Sequence, residues 1–308
     1  MATQSARPLK KTDLDPVVAI DSELIGRSRR AYFERSLARA LAAPELHAEL
    51  GVDGPQGLQG FVLGRVVEDE FGRQGRAMDF EMLGVAKAAQ GKGLGPVLLS
   101  ALAAEAKRRG CVELSTTALW TTHTMLRFLD KSGFRLAKRQ ILERTITYPD
   151  LKREQLVEEA NEAFPLEFAT LTESHIADLA RLDRRLTGRD RSVYIRRRIG
   201  EALRESSVGA SLAATHQGQV VGFVTARVDF GDAGRTEPVA VIDTLGVEPE
   251  FGKKGVARAL LLHLCMNLHA LRVERLETVV SRDDFGLLRF LYREGFEPSQ
   301  RLPFTLPL

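Results

Sequence analysis

Two stretches, Gly84–Leu99 (GVAKAAQGKGLGPVLL) and Gly246–Leu261 (GVEPEFGKKGVARALL), each set a glycine-rich turn directly between an apolar run and an apolar-faced helix. The runs that lead in, AMDFEMLGV and VAVIDTLGV, alternate as a strand does. Behind the turn, Leu98, Leu99, Leu102 and Ala106, and likewise Leu260, Leu261, Leu264 and Leu268, recur at the spacing of one helix face. A strand, a glycine loop and a helix in that order form an anion cradle. Glycine lets the backbone come close, successive N–H groups point outward, and the helix N-terminus adds partial positive charge. Lys92 reinforces the first cradle, Lys253 and Lys254 the second. Neither loop is a Walker loop, because Lys92 is followed by Gly93 where Ser or Thr is required, and Gly91, Gly93 and Gly95 give GxGxG in place of the dinucleotide GxGxxG.

The similarity of the two stretches extends outward in both directions at a constant offset of 162 residues. AIDSELIGRSRRAYFERSL (19–37) returns as RLDRRLTGRDRSVYIRRRI (181–199), and Gly60-Phe61-Val62 matches Gly222-Phe223-Val224. Leu83-Gly84-Val85 matches Leu245-Gly246-Val247, and Gly133-Phe134 matches Gly295-Phe296. A period this long is a tandem duplication of one domain and not a solenoid. The reading places one domain over 7–148 and a second over 165–308. The charged segment between them, 149–164, lacks a counterpart and is expected to be a helical linker.

Each copy reads as a short strand near Pro8-Leu9 (Thr170-Leu171), two helices, a hairpin whose second strand is LQGFVLGRVV (VVGFVTARVD), the strand–loop–helix unit, a strand, a late helix, the Gly-Phe turn and a last strand. Each copy is expected to complete its own sheet, with Pro303 and Pro307 confining the final strand to an edge. The fold class is α+β: two domains, each a mostly antiparallel twisted sheet flanked by helices.

Gln90, Gly93 and Gly95 meet the pattern Q/R-x-x-G-x-G/A, and Gly255 and Ala257 meet part of it. With the Leu-x-Val strand before the loop and the Gly-Phe after the late helix, both halves resemble the GCN5-related N-acetyltransferases over nearly the whole chain, and GRSRRAYF looks like one bacterial subgroup. The resemblance implies that acetyl-CoA is the co-substrate. Its pyrophosphate arm would lie on Gln90, Gly91, Lys92, Gly93, Leu94 and Gly95, or on Gly252, Lys253, Lys254, Gly255, Val256, Ala257 and Arg258. Backbone at Leu83 and Val85, or Leu245 and Val247, would face the pantetheine and thioester. The second copy departs at Gly252, where glutamine is expected, and Pro96 stands in the first copy where Arg258 stands in the second. If duplication relaxed one copy, the first is the better cofactor site.

Acyl transfer to an amine requires a base for the amine, polarisation of the carbonyl and a proton for the thiolate. By resemblance a strand carboxylate serves as base, working through water. Glu81 and Asp243 are the equivalent candidates; they read equally well as salt-bridged strand residues. The family's frequent tyrosine, four residues before the Gly of Gly-Phe, is replaced by Leu129 and Leu291, and Tyr292 falls one residue late. Asp283 and Asp284 lie where relatives often carry an asparagine near the cofactor. Arg27, Arg29, Arg189 and Arg191 suit either an acidic acceptor or, by preference, pairing with Asp21, Asp183 and Asp190 on a helix cap. His123, His263 and His269 are read as capping, packing or surface residues, and Trp120 as packed on a core edge.

Composition bounds the function classes. With 44% hydrophobic and 28% charged residues, the chain suits about two globular domains. Two distant cysteines, Cys111 and Cys265, and six scattered histidines suggest no disulfide framework and no metal, hence a cytoplasmic setting. No apolar run approaches a membrane span, and a net charge of +3 from 44 basic and 41 acidic residues is no nucleic-acid footprint. The expectation is an N-acetyltransferase acting on a primary amine of a small molecule or amino-acid-like acceptor, by direct attack in a ternary complex. It is expected as a monomer whose halves form a pseudo-dimer. The alternatives are a degenerate tandem that binds acetyl-CoA as sensor or scaffold, and a protein N-acetyltransferase.

Overall fold

The fold comes from a computed structural model that describes residues 5–55, 57–68, 75–146, 164–204, 210–230 and 238–308. The linker expected to be helical, 149–164, lies outside the described residues except at Phe164. The first half runs β1 (Ala6–Pro8), α1 (Leu14–Ile25), α2 (Arg30–Ala42), β2 (His47–Gly54), β3 (Gly57–Glu68), β4 (Arg76–Val85), α3 (Leu94–Arg108), β5 (Glu113–Leu119), α4 (His123–Lys131), β6 (Arg135–Leu136) and β7 (Arg139–Thr145). The second repeats it as β8 (Glu167–Thr170), α5 (Ile176–Thr187), α6 (Ser192–Arg204), β9 (Leu212–His216), β10 (Gln219–Phe230), β11 (Pro238–Val247), α7 (Val256–Ala270), β12 (Arg275–Ser281), α8 (Phe285–Arg293), β13 (Glu297–Pro298) and β14 (Arg301–Pro307).

Each copy has two cores, one per sheet face, because strand residues alternate. In the first copy Phe61, Leu63 and Met82 pack under Val17, Val18, Ile20, Tyr32 and Phe33 of α1 and α2. Val62, Val66, Met78 and Phe80 point the other way, onto Leu94, Leu98, Leu99 and Leu102 of α3. The helix face read from the sequence is thus the buried one, and its counterpart on α7 (Leu260, Leu261, Leu264, Leu268) is equally buried.

The last strands break the expected pattern. The sheet orders are β1-β2-β3-β4-β5-β14-β6 and β13-β7-β12-β11-β10-β9-β8. Each half therefore lends its last long strand to the other. β14 is not an edge, since it lies between β5 and β6. The prolines are tolerated because β6 pairs only with Phe304 and Thr305, so Pro303 and Pro307 fall outside its two-residue ladder. The crossings obey the same 162-residue symmetry. Ala137 N donates to Pro303 O and Ser299 N to Ile141 O, each at 2.9 Å, while Trp120 N donates to Gln300 O and Arg282 N to Lys138 O, each at 3.1 Å. Trp120 is half exposed at this crossing, with its indole N–H on the Gln300 side chain, and not packed on a core edge.

Candidate active site

The strands that carry the loops part from their neighbours. β4 pairs in parallel with β5 only at Met78↔Leu114 and Asp79↔Ser115, and β11 with β12 only as far as Ile242↔Thr278. Beyond that point one threonine bridges the fork in each copy: Thr116 Oγ1 donates to Phe80 O at 2.8 Å and Thr278 Oγ1 to Ile242 O at 3.1 Å. The rest of β4 and β11, up to Val85 and Val247, then has a ladder on one side only, towards β3 and β10. An unpaired strand edge offers its N–H and C=O groups to an extended ligand.

A β-bulge follows each fork. The β3–β4 register slips between Leu63↔Met82 and Gly64↔Phe80, leaving Glu81 as the extra residue. The β10–β11 register slips between Thr225↔Thr244 and Ala226↔Ile242, leaving Asp243. A bulge bends its strand and re-aims a side chain, which opens the fork and singles out the two carboxylates by one device. Gly84 is required by packing, because a Cβ there would sit 2.5 Å from the Phe61 ring.

Each strand ends in a 3₁₀ turn, Lys87–Ala89 or Pro249–Phe251, and the chain then reaches the helix through Gly93 (φ +81°) or Gly255 (φ +84°). No side chain caps either helix at these glycines, so the first amides of α3 and α7 face the exposed loop. Leu94 and Val256 are core residues that contribute only backbone here. The cradle geometry suits an anionic co-substrate arm in both copies, but the side chains differ. Gln90 Nε2 donates to Val85 O at 3.1 Å, and Lys92 Nζ donates to Ala88 O at 2.8 Å. In the second copy Lys254 lies over the rings of Phe251 and Phe164, 4.9 and 5.0 Å from their centroids. Lys253 holds the left-handed conformation (φ +63°) that Gly91 supplies in the first copy. Arg258 Nε is tied to the buried Glu294 at 2.9 Å.

The two carboxylates are held differently. Glu81 pairs with Arg65 (Nε–Oε1 3.1 Å) and keeps 18% of its side chain exposed. Asp243 keeps 1% and is gripped by two guanidiniums, Arg227 from β10 and Arg198 from α6. Arg227 is the counterpart of Arg65, whereas the counterpart of Arg198 is Ser36, which donates to Glu49 at 2.9 Å. Burial pushes the Glu49 carboxyl up to about 7, with the charge of Glu81 acting in the same direction and the Ser36 hydrogen bond and Arg39 opposing it. On the same strand, burial and then the charges of Arg65, Arg39 and Arg109 press His47 down to about 3. Arg65, Arg198, Ser36 and Glu49 escape a motif search. For Arg198, Ser36 and Glu49 the signal is the mismatch between copies at positions 36/198 and 49/211; Arg65, matched by Arg227, leaves none.

The remaining candidates fall into structural roles. Arg29 forks onto Asp21 (Nε–Oδ2 2.9 Å) and Arg191 onto Asp183 (Nε–Oδ2 2.8 Å), each pair nearly buried and each guanidinium over a tyrosine, Tyr32 or Tyr194. Arg184 takes Asp190. Leu129 and Leu291 are buried, and the Tyr292 hydroxyl accepts from Gln140 at 2.7 Å. Asp284 caps α8 by accepting from Leu287 N at 3.0 Å. His263 stacks on Phe168, 3.9 Å between centroids. Among the described residues no helix is long and apolar enough to cross a membrane, and no group of three or more His, Cys, Asp or Glu is placed to hold a metal.

The family model described as Acetyltransferase (GNAT) family matches residues 23–134 and 168–296, more than half of the sequence and once per copy. The chain belongs to the GNAT family. None of the curated proteins matches the sequence. Among solved structures, the GNAT chain is similar to a tandem GNAT protein from the clavulanic acid biosynthesis pathway, with TM-score 0.64 and 14% identity over 98% of both chains. It is also similar to N-myristoyltransferase of Saccharomyces cerevisiae (TM-score 0.61, 15% identity, 99% of this chain and 80% of that one). A third is a GCN5-related glucosamine N-acetyltransferase region in a fungal multi-domain β-N-acetylglucosaminidase, with TM-score 0.68 and 16% identity; this chain matches over 99% of its length and spans 38% of that protein. At these identities the likeness is one of fold, and the fold is two tandem GNAT domains.

Proposed function

We propose that the protein is an acetyl-CoA-dependent N-acetyltransferase of primary amines on small molecules, with turnover in the first copy. The observation that carries this reading is the asymmetry of the two bulge carboxylates. Glu81 has one guanidinium and access to solvent, so it can take a proton from an attacking ammonium through water. Asp243 is almost wholly buried and gripped by two guanidiniums, so proton uptake there would weaken both ion pairs at once. The edge of β4 at Leu83 and Val85 supplies backbone groups for the thioester arm, and the amides behind Gly93 take the pyrophosphate. With leucine at both tyrosine positions, the departing thiolate draws its proton from water.

The second copy then serves binding or architecture. Lys254 on its aromatic pair and Asp243 in its clamp favour a site that holds acetyl-CoA without turnover, as a sensor or scaffold would. A monomeric protein in the cytoplasm, with its halves joined by strand exchange, completes the proposal.

Calorimetric titration with acetyl-CoA on the wild type, Gly93→Asp and Gly255→Asp tests it. Aspartate tolerates the left-handed backbone better than most residues and points a carboxylate into the cradle. Gly93→Asp is expected to abolish acetylation of a panel of small amines along with one binding event, and Gly255→Asp to leave turnover in place. Turnover that survives Gly93→Asp and is lost in Gly255→Asp would reverse the assignment.

A further inference from the structure

Glu81 is the extra residue of a bulge, so no residue of β3 stands opposite it in register to fix the direction of its side chain. One guanidinium supplies that constraint. Arg65 Nε donates to Glu81 Oε1 at 3.1 Å, and among the described residues Oε2 accepts no hydrogen bond. Arg65 is itself held in place, since it stands in register between His47 on β2 and Asp79 on β4 and keeps only 19% of its side chain exposed. Cross-strand neighbours on both sides limit where its long side chain can go. The second copy has the same device with one part added. Arg227 donates to Asp243 Oδ1 as Arg65 does to Glu81 Oε1, and Arg198 donates to Oδ2. Both oxygens of Asp243 are therefore occupied, whereas Glu81 is tethered by one oxygen and presents the other.

We infer that Arg65 is a positioning residue of the first site: it holds Glu81 by Oε1 and so aims Oε2 at the water through which the attacking amine loses its proton. This rests on the reading of Glu81 as the base and names the group that orients it. A partly exposed glutamate otherwise samples several rotamers, and one charge-assisted hydrogen bond to a fixed guanidinium removes most of them. The ammonium passes a proton to the water as the water passes one to Oε2, which leaves the amine neutral; Arg65 keeps all of its protons. Displacing a reacting group by about 1 Å can cost about 10²-fold in rate, whereas a partly exposed ion pair contributes little to stability. The positioning role is therefore separable from folding.

Steady-state acetylation of a panel of small amines is measured on the full-length protein and on its Arg65→Gln, Arg65→Lys, Glu81→Gln and Arg65→Gln/Glu81→Gln variants. Acetyl-CoA affinity by calorimetry, circular dichroism and urea unfolding are recorded for each. Arg65→Gln is expected to lower kcat about tenfold or more, with the KM and the calorimetric Kd for acetyl-CoA unchanged. Arg65→Lys keeps a cation within reach of Oε1 but not the planar fork, and is expected to lose only about threefold. In the double variant the two losses should not multiply, because Arg65 acts through Glu81 alone. A merely structural pair would instead lower the urea midpoint and leave the kcat of the folded variant as it was. A wild-type kcat in folded Arg65→Gln, losses that multiply in the double variant, or a fall in acetyl-CoA affinity that accounts for the lost rate each overturn the inference. Where Arg65→Gln does not fold, the same cycle run with Arg65→Lys decides it: no loss, or a loss that persists beside Glu81→Gln, overturns it. A slow Glu81→Gln beside a fully active Arg65→Gln would leave the base in place and remove only its positioning. Full activity in Glu81→Gln would overturn the base and the inference with it.

Discussion

Glu81 and Asp243 occupy the same bulge in the two copies, yet one substitution at each should read out differently. Glu81→Gln removes a partly exposed pair worth about 1 kcal/mol or less, but is expected to lower kcat by about 10²–10⁴-fold if it is the base. Asp243→Asn breaks two ion pairs, to Arg198 and to Arg227, at a buried carboxylate, so it should cost about 3–5 kcal/mol in urea unfolding, with kcat nearly unchanged where the variant is folded. Two further residues, His47 and Glu49, contribute opposite pH dependences to stability. Glu49 holds its proton more tightly folded (about 7) than unfolded (4.5), so its contribution is favourable below 4.5 and is lost as pH rises to about 7. His47 is depressed from 6.5 to about 3, so its contribution is present above 6.5 and is lost as pH falls towards 3. The groups that face them are Ser36 and Arg39 from α2, Arg65 and Glu81 from the sheet, and Arg109 behind α3. Thermal melts between pH 4.5 and 7 should show Glu49→Gln gaining on the wild type as pH rises, and His47→Gln gaining as pH falls; parallel curves would refute both. The carboxylates at 81 and 243 were legible because their position before Leu-x-Val is fixed by the motif. Their different fates were not, because Arg198 approaches from a helix 45 residues earlier in the chain.

At the scale of elements, the loop, its flanking strand and the helix behind it were readable because each has a periodic pattern and the glycines mark real backbone demands. The glycines nevertheless do two kinds of work. At Gly93 nothing stands within 4 Å of where a Cβ would be, so only the left-handed backbone is at stake. Gly93→Ala should therefore cost about 1–2 kcal/mol and leave the sheet intact. At Gly84 the backbone is ordinary but the Phe61 ring fills the Cβ position. Gly84→Ala must displace either the ring or β4, which is expected to cost about 1–3 kcal/mol and to disturb the strand edge at Leu83 and Val85. Urea unfolding gives both costs, and acetyl-CoA titration separates them: Gly84→Ala is expected to lose affinity that an added Phe61→Leu restores, and unchanged affinity in Gly84→Ala would count against the strand-edge site. The bulges were not legible, because a one-residue slip leaves no mark in a run such as AMDFEMLGV, where apolar residues flank Glu81 on both sides.

At the scale of the whole molecule, the repeat showed that the chain contains two copies of one domain, but not that they trade strands. Two copies with the same pattern make β7 and β14 interchangeable on paper, and only the two short crossings at 137–138 and 299–300 decide which sheet receives which strand. The physical consequence is a single cooperative unit. β7 pairs along its full length with β12, from Arg139↔Ser281 to Thr145↔Arg275, and β14 likewise with β5, from Arg301↔Leu119 to Pro307↔Glu113. Charged and polar side chains fasten the crossings as well: Arg139 pairs with Glu113 at 3.0 Å and Ser299 Oγ donates to Glu143 at 2.7 Å. A fragment ending at residue 148 keeps β5 but loses the strand that separates it from β6, and it carries β7 with no partner. An isolated 165–308 fragment has the reciprocal fault, and each would expose a long unpaired strand beside an open sheet. Neither is expected to unfold cooperatively as a monomer. Mixed in equal amounts, they should form a 1:1 complex that regains the far-UV spectrum and the acetyl-CoA affinity of the intact chain. Light scattering with chromatography and circular dichroism would show this directly. If either fragment is instead monomeric and melts in one sharp transition, the lent strand is dispensable to its sheet, and the halves are joined by the chain alone and not by the fold.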